Sequence, residues 1–136
     1  MEISEAIAFV RENRRAVLAT TSSSGRIQLT PVTVAVDDDG VVLMSTRETA
    51  VKTKNLRRNG RATLLVMNDG FFGAYAQLEG SATVTSLPEA LDGLVEYYRL
   101  AAGEHSDWDE YAAAMVRERR VIVRITVDHA GPTVSG

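Results

Sequence analysis

Short apolar runs rich in β-branched residues, separated by turn signals, recur along most of this chain. Three come in quick succession: AVLATT at 16–21, IQLTPVTVAVD at 27–37 and VVLMST at 41–46. The same kind of run returns at 61–68, 74–85 and 120–127. Runs of this length, bounded by Gly, Asp, Asn and Ser, are typical of strands. The pattern predicts six or so antiparallel strands with peripheral helices, as in a small barrel, and not a parallel βαβ sheet.

Helical spacing occurs between the predicted strands. Residues 3–14 and 49–58 predict two short helices, and two more follow, one ending near Leu100 and one near Glu118. Ser86-Leu87-Pro88-Glu89 has the form of a capping box for the third helix. Asp107 lies in a capping segment before the fourth, Gly80 predicts a bend in the long strand 74–85, and GPTVSG predicts a loose tail.

Length and composition narrow the class of protein. With 136 residues, 45% of them apolar, we expect one domain spanning residues 1–136. No run approaches the roughly 18 apolar residues of a membrane span, and the acidic start MEISEAIAFV is unlike a secretory signal. The absence of cysteine fits a cytoplasmic protein, and a net charge of −3 argues against nucleic-acid binding.

One segment concentrates positive charge. Residues 47–61 hold six of the fifteen basic side chains, including both lysines, and a single acid, Glu48. The segment lies between two predicted strands, so its charges should sit at a strand end beside a helix N-terminus, where phosphates are usually held. Helical spacing puts Lys52, Asn55 and Leu56 on one face. Lys52 and Asn55, with Ser45, Thr46 and Arg47, form a candidate phosphate site; the alternative is a solvated amphipathic helix.

Two further segments suit an aromatic ligand. Pro31 interrupts the strand 27–37, and a proline there marks an edge, a bulge or backbone that faces a ligand. Gln28 and Thr30 would add side-chain hydrogen bonds to a planar heterocycle; the alternative is a plain edge strand with a bulge. Phe71, Phe72 and Tyr75 cluster at a turn, where they cover a cofactor or simply pack in a hairpin.

The sequence argues against several other chemistries. The run from Gly103 to Glu110 holds one histidine and four acids, but three of those acids fall in a predicted first helical turn, where negative charge is stabilised anyway, so we expect no metal site. There is no GxGxxG, P-loop or GxSxG motif and no nucleophile–base pair. The catalytic residues stay unassigned, and an enzyme built on this chain would rely on a cofactor.

Three blocks of the sequence resemble a known superfamily. They are RRAVLATTSSSGRIQLTPVTVAVDDDGVVLMST at 14–46, KTKNLRRNGRATLLV at 52–66 and YYRLAAGEHSDWDEYAAAMVRERRVIVRI at 97–125. The first two resemble the flavin and deazaflavin oxidoreductases named for pyridoxamine 5′-phosphate oxidase. The third is similar to the branch that binds coenzyme F420. The resemblance implies a mostly β fold, a six-stranded antiparallel split β-barrel of the FMN-binding-protein type with flanking helices.

The resemblance also implies a site. Gln28, Leu29, Thr30, Pro31 and Val32 match the strand along the edge of the tricyclic ring, which they line largely through backbone groups. Ser45 and Thr46 match positions beside the ribityl chain and phosphate, and Lys52 matches the lysine that reaches the phosphate. Asn55 matches a polar residue one turn on, and Tyr75 a strand position near the groove. Close relatives can carry arginine where this chain has Ala50, and Arg47 is a candidate replacement.

The activity implied is hydride transfer from reduced F420 to a small electrophilic substrate. The alternatives are an FMN-dependent flavoprotein of the same fold and an F420-binding protein without turnover. Members of the superfamily are homodimers with cofactors in two grooves at the interface, so a homodimer is expected here, with no nucleic-acid or membrane partner. The proton donor and the physiological substrate stay open.

Overall fold

Seven strands and four helices occur within residues 1–132, which are the residues that this computed structural model describes. The last four residues of the predicted loose tail lie outside them. In chain order the elements are α1 (Ile3–Glu12), β1 (Arg15–Thr21), β2 (Ile27–Thr33), β3 (Ala35–Val36), β4 (Val42–Arg47), α2 (Val51–Arg58), β5 (Arg61–Met67), β6 (Tyr75–Ser86), α3 (Leu91–Ala102), α4 (Trp108–Arg117) and β7 (Arg120–Ala130).

All seven strands join one antiparallel sheet in the order β2-β1-β5-β6-β7-β4-β3. The two edge strands are neighbours in sequence, because only Val34 separates β2 from β3. In a flat sheet the edges would lie roughly 29 Å apart, at about 4.8 Å per strand. Two residues of chain reach about 7 Å at most. The sheet therefore curls until its edges meet, which confirms the predicted split β-barrel.

The predicted strand count of six was too low by one. Residues 27–37 form two strands because the buried Val34 leaves the ladder and donates its N–H to the carbonyl of Arg14 at 2.9 Å. Ala35 then pairs with Leu43 at the opposite edge. The strand-like sequence pattern continues through Val34 because the residues on both sides of it form strands. Only the neighbouring strand with which they pair changes, from β1 to β4.

Two apolar clusters result from the strand alternation. One face of the curled sheet and helix α1 enclose the barrel interior, which includes Leu18, Met44, Leu64, Leu78 and Val123. The other face of β4 and β7 packs against α3 and α4 through Leu43, Ile122, Leu94 and Tyr111. Successive side chains point to opposite faces of a strand, so β4 and β7 contribute to both clusters.

The predicted capping box at Ser86 is wrong. Strand β6 runs on through Ser86, which pairs with Val121, and α3 begins only at Leu91 with no side-chain cap. The hydroxyl of Ser86 instead donates to Glu48 Oε2 at 2.8 Å. The cap of α4 is confirmed, because the carboxylate of Asp107 accepts the backbone N–H of Glu110 at 3.1 Å.

No helix within residues 1–132 is both long enough and apolar enough to cross a lipid bilayer.

The predicted bend at Gly80 is confirmed and has a clear cause. The register between β6 and β7 shifts between Glu79 and Gly80. A Cβ at residue 80 would lie 2.2 Å from the carbonyl oxygen of Thr126, which is backbone and has no room to move aside. A glycine is therefore required where the two longest strands cross most closely.

We predict that Gly80→Ala destabilises the fold by about 2–3 kcal/mol, because the added methyl group forces β6 and β7 apart. Urea denaturation would measure the change in the free energy of unfolding. Thr83→Ala, at an exposed position of the same strand, is the matched control and should change it by less than about 0.5 kcal/mol. Equal effects of the two substitutions would contradict the steric explanation.

Candidate functional site

Strand β2, which holds the predicted ring-binding residues, is an edge strand with β1 as its only neighbour in the sheet order. Its side chains alternate between two environments. Leu29 and Pro31 lie on the outer face with Ile27, and Leu29 is 66% exposed. Gln28, Thr30 and Val32 are half-buried on the other face. The strand therefore offers a ligand its outer apolar side chains and the backbone groups along its open edge.

The polar side chains of β2 belong to an internal hydrogen-bond chain. The amide of Asn55 in α2 donates to Thr20 Oγ1 at 3.0 Å, and Thr20 donates to Gln28 Oε1 at 3.1 Å. Gln28 Nε2 then donates to Thr30 Oγ1 at 2.6 Å. Arg58 donates to the remaining amide oxygen of Asn55 at 3.1 Å. The chain ties the basic helix to the edge strand.

The side chain of Asn55 therefore points into the protein and not towards a ligand. Its side chain is 3% exposed, and both ends of its amide have protein partners. Thr20, which the sequence analysis did not select, is 2% exposed and sits at the centre of the chain. The sequence does indicate this position: in the strand AVLATT, residue 20 points to the same buried side as Ala16 and Leu18. A polar residue at a core position requires a partner.

The two hydroxyls at the end of β4 face opposite sides. Thr46 points into the barrel, is 2% exposed and lies 3.5 Å from the hydroxyl of Thr53. Ser45 lies half-buried on the face that carries Leu43. The structure therefore does not bring Ser45 and Thr46 together around one phosphate. Only Ser45 lies on the face that α3 and α4 flank.

Lys52, near the start of α2, is influenced by the charge of Arg120. Lys52 is half-buried, and its pKa is lowered, first by burial and then by the positive charge of Arg120. Arg120 is the first residue of β7 and pairs in register with Arg47. Its side chain is 26% exposed and is held by Glu118 Oε1, 3.0 Å from Nε and 2.9 Å from one terminal nitrogen. Like charges that are brought together and partly desolvated favour a bound anion.

Arg47, the predicted substitute for the missing arginine, is less well placed. It is 59% exposed and reaches Glu118 only at 3.7 Å. Arg120, in contrast, is close enough to Lys52 for its charge to lower the pKa of that lysine. The sequence analysis missed Arg120 because its proximity depends on the β4–β7 register, which joins distant parts of the chain.

Tyr97 connects α3 to the end of β2. Its hydroxyl donates to the carbonyl oxygen of Thr33 at 3.0 Å. Burial raises the pKa of this phenol, while the nearby charges of Arg120 and Arg14 oppose the rise. Tyr97 therefore keeps its proton at neutral pH and remains a hydrogen-bond donor between the edge strand and the cations. It was not among the predicted site residues.

Tyr75 lies away from this group within one chain. It begins β6, whereas Ser86, at the other end of the same strand, adjoins Glu48 and the cations. At about 3.3 Å per residue the two ends are roughly 30 Å apart or more. Phe71 and Phe72 precede Tyr75 at the tip of the β5–β6 hairpin, where they are 82% and 96% exposed and contact each other edge to face.

The acidic run before α4 has a structural role. His105 packs among the rings of Tyr98, Trp108 and Tyr111, and its Nδ1 accepts the backbone N–H of Asp107 at 2.9 Å. Between Met1 and Pro132 no group of three or more His, Asp and Glu side chains is arranged to hold a metal ion.

The single antiparallel sheet, curled until its edge strands adjoin, defines a split β-barrel protein. Residues 3–133 match the family model described as pyridoxamine 5′-phosphate oxidase. The chain belongs to this family, whose fold is that of cofactor-dependent oxidoreductases that use flavin or deazaflavin.

Solved structures agree on the fold. A conserved hypothetical protein, Rv2991 from Mycobacterium tuberculosis, is 29% identical, with a TM-score of 0.75 over 96% of this chain and 82% of the other. A protein named F420 reductase is 17% identical, with a TM-score of 0.69 over 91% and 94% of the two chains. A putative pyridoxamine 5′-phosphate oxidase from Listeria innocua is 15% identical, with a TM-score of 0.67 over 95% of each.

We predict that Asn55→Ala lowers the free energy of unfolding by about 2–3 kcal/mol, because it leaves buried Thr20 without its donor and opens a small cavity. Thr20→Val should also destabilise. In the double variant the two losses should overlap by about 1 kcal/mol, since they break one shared hydrogen bond. Urea denaturation of all four proteins measures this coupling. Strictly additive losses would contradict a direct bond between the two side chains.

Proposed function

We propose that this protein is an F420-dependent oxidoreductase that transfers hydride from the reduced deazaflavin to a small electrophilic substrate. We further propose that it works as a cytoplasmic homodimer. Membership of the pyridoxamine 5′-phosphate oxidase family supports a redox cofactor in the split barrel. The resemblance of residues 97–125 to the F420-binding branch, and a relative of the same fold named F420 reductase, favour the deazaflavin.

The observation that carries the proposal is a half-buried Lys52 within range of the charge of Arg120, a side chain that Glu118 holds in place. Glu118 holds the Arg120 guanidinium through two nitrogens, so its position is fixed before any ligand arrives. Arg120 acts on Lys52, whose ammonium is itself partly desolvated. A phosphate between the two side chains would gain charge-assisted hydrogen bonds from both at little ordering cost. These residues fit the anionic arm of a flavin or deazaflavin.

The edge strand β2 suits the ring of the same cofactor. Pro31 has no N–H, and the strand pairs on one side only, so carbonyl and N–H groups between Gln28 and Val32 are open along the other edge. Tyr97 fixes the end of the strand by its bond to Thr33. The buried Asn55–Thr20–Gln28 chain fixes its inner face, so ring site and phosphate site keep a constant separation.

Bound in this way, the reduced deazaflavin would supply the hydride. The protein would hold donor and acceptor at reacting distance, and such positioning is worth several kcal/mol of the barrier. No proton donor is assigned.

Two alternatives have support of their own. The family description favours an FMN-dependent flavoprotein, for which the same cations would hold the FMN phosphate. The lack of a nucleophile–base arrangement in the sequence favours an F420-binding protein without turnover. Absorbance of the bound cofactor separates flavin from deazaflavin, and steady-state turnover separates enzyme from carrier.

A homodimer would use the outer face of the β2-β1-β5-β6 half of the sheet. Ile27 and Leu29, on this face of β2, are 65% and 66% exposed. Ala19 pairs with Leu29 and lies on the same face, as do Val17 and Leu65, which follow Pro31 across the sheet. Tyr75, opposite Met67, lies on this face too. Burying an apolar strip of this kind against a second copy is favourable at about 25 cal/mol per Å². It would also bring the Tyr75 region of one subunit towards the other.

We predict that Leu29→Lys raises the dimer dissociation constant at least tenfold, because it places a charge in the apolar strip. Sedimentation equilibrium would measure the constant. Val116→Lys is the matched control, since Val116 is 64% exposed but lies on α4, away from this face. A monomeric wild-type protein, or equal effects of the two lysines, would contradict the proposed interface.

We predict that Lys52→Ala weakens cofactor binding more than tenfold, the loss of about 1.5–3 kcal/mol expected for a charge-assisted hydrogen bond. Titration of the purified protein with F420 and with FMN, followed by fluorescence, gives the dissociation constants and identifies the preferred cofactor. Lys54→Ala is the control, because Lys54 has the same chemistry, lies two residues further along α2 and is fully on the exposed side.

The comparison of the two lysines is decisive for the phosphate position. Losses for Lys52→Ala within a factor of two, or equal losses for both variants, would refute the assignment of the phosphate to Lys52. Tighter binding of FMN than of F420 would replace the proposed function by its flavin alternative.

A further inference from the structure

A hollow of about 370 Å³ is lined in part by Arg120. It lies where the ends of β4 and β6 meet the turn between α4 and β7. Its lining consists of Glu48, Ser86, Leu87, Val116, Arg119 and Arg120. Arg120 thus belongs both to this hollow and to the surroundings of Lys52. The other lining residues were not among those predicted to bind a cofactor.

Arg119 is held in an unusual backbone conformation. Its φ of 54° is the only positive value among the non-glycine residues within 1–132. Two backbone bonds fix it: its N–H donates to the carbonyl of Val116 at 3.1 Å, and its carbonyl accepts the N–H of Glu48 at 2.8 Å. Backbone strain of this kind is concentrated at ligand sites. The guanidinium of Arg119 makes no hydrogen bond or ion pair with the part of the chain described here.

The acids near the hollow are already engaged. Both oxygens of Glu48 accept from Arg57, at 2.8 and 3.1 Å, and one also accepts from Ser86 at 2.8 Å. These bonds, that of Ser86 foremost, lower the pKa of Glu48, which therefore stays charged and occupied. Glu118 forms an ion pair with Arg120. The charge of Arg119 also contributes to lowering the pKa of Glu48, although the two side chains form no hydrogen bond or ion pair within the described residues.

We propose that this hollow is a second anion subsite, in which Arg119 binds a phosphate or carboxylate group lying beyond the phosphate at Lys52 on the same ligand. Arg120 stands between the two positions and contributes to both. The inference rests on the proposed function and deepens it, because it specifies a cofactor with more than one anionic group along its arm. It also assigns to Arg120 the place of the cation that Ala50 lacks.

The subsite discriminates between the two candidate cofactors. The arm of FMN ends in a single phosphate, whereas the arm of F420 continues past its phosphodiester into carboxylates. A ligand of the first kind engages Lys52 and Arg120 only. A ligand of the second kind also reaches Arg119, so the contribution of Arg119 depends on the length and charge of the arm.

The test is the dissociation constant of Arg119→Asn for F420 and for FMN, by the same fluorescence titration. Asparagine tolerates the left-handed backbone, so the turn is preserved. We expect F420 affinity to fall about three- to tenfold, as for a lost charge-assisted bond, with FMN affinity changed less than about twofold. Arg117→Gln, an exposed arginine just before the turn that pairs with Glu110, is the control and should alter neither.

Arg120→Gln extends the test and should weaken F420 and FMN alike, because Arg120 adjoins Lys52. Equal losses for the two cofactors in Arg119→Asn, or no loss for either, would overturn the second subsite while leaving the proposed function intact. Failure of the wild-type protein to bind either cofactor would overturn the proposed function. Citrate then tests the hollow by itself: millimolar citrate should raise the melting temperature of the wild type more than that of Arg119→Asn, and equal shifts would refute the subsite.

Discussion

The closure of the sheet by a single residue governs the rest of this structure. Val34 carries the chain from one edge strand to the other, so the sheet must curl until β2 and β3 meet. Curling turns one face into an interior that the apolar residues of every strand fill. It leaves β2 open along one edge and brings that edge towards α3, where Tyr97 bonds to Thr33. The candidate cofactor groove is thus a product of barrel closure.

A buried polar chain links the two halves of that groove. Asn55 belongs to the helix that carries Lys52, and Gln28 belongs to the strand that would line the ring; Thr20 joins them. Every buried side-chain nitrogen and oxygen within the described residues has a partner, so the chain is fully satisfied. In a low-dielectric interior such a network fixes geometry strongly, because breaking one bond leaves other groups unpaired. Asn55 and Gln28, to which the resemblance assigns cofactor contacts, therefore keep the dimensions of the candidate groove constant.

Local patterns in the sequence were sufficient for the strand-forming segments, the Gly80 bend and the α4 cap, since each depends on residues close together in the chain, but not for the division of residues 27–37 into two strands. The split barrel came from resemblance and was confirmed. Contacts that depend on the pairing register of strands distant in the chain could not be predicted from the sequence. Arg120 reaches the basic helix only through the pairing of β7 with β4, and Ser86 leaves its expected capping role because β6 pairs on with β7. The buried parity of Thr20 was visible in AVLATT but was not used.

In the proposed site, the charges of Lys52 and Arg120 would be stabilised by an anionic ligand. Lys52 binds its proton less tightly in the folded chain than its ordinary value of 10.5 implies, because it is partly buried and faces Arg120. A positively charged group whose pKa is lower in the folded chain than in the unfolded chain destabilises the fold. This cost is lost only as the pH rises far enough for Lys52 to release its proton. An anion placed between the two side chains reverses the sign of the interaction. Binding and stability are then coupled, so an anionic cofactor that occupies the site also stabilises the fold around it.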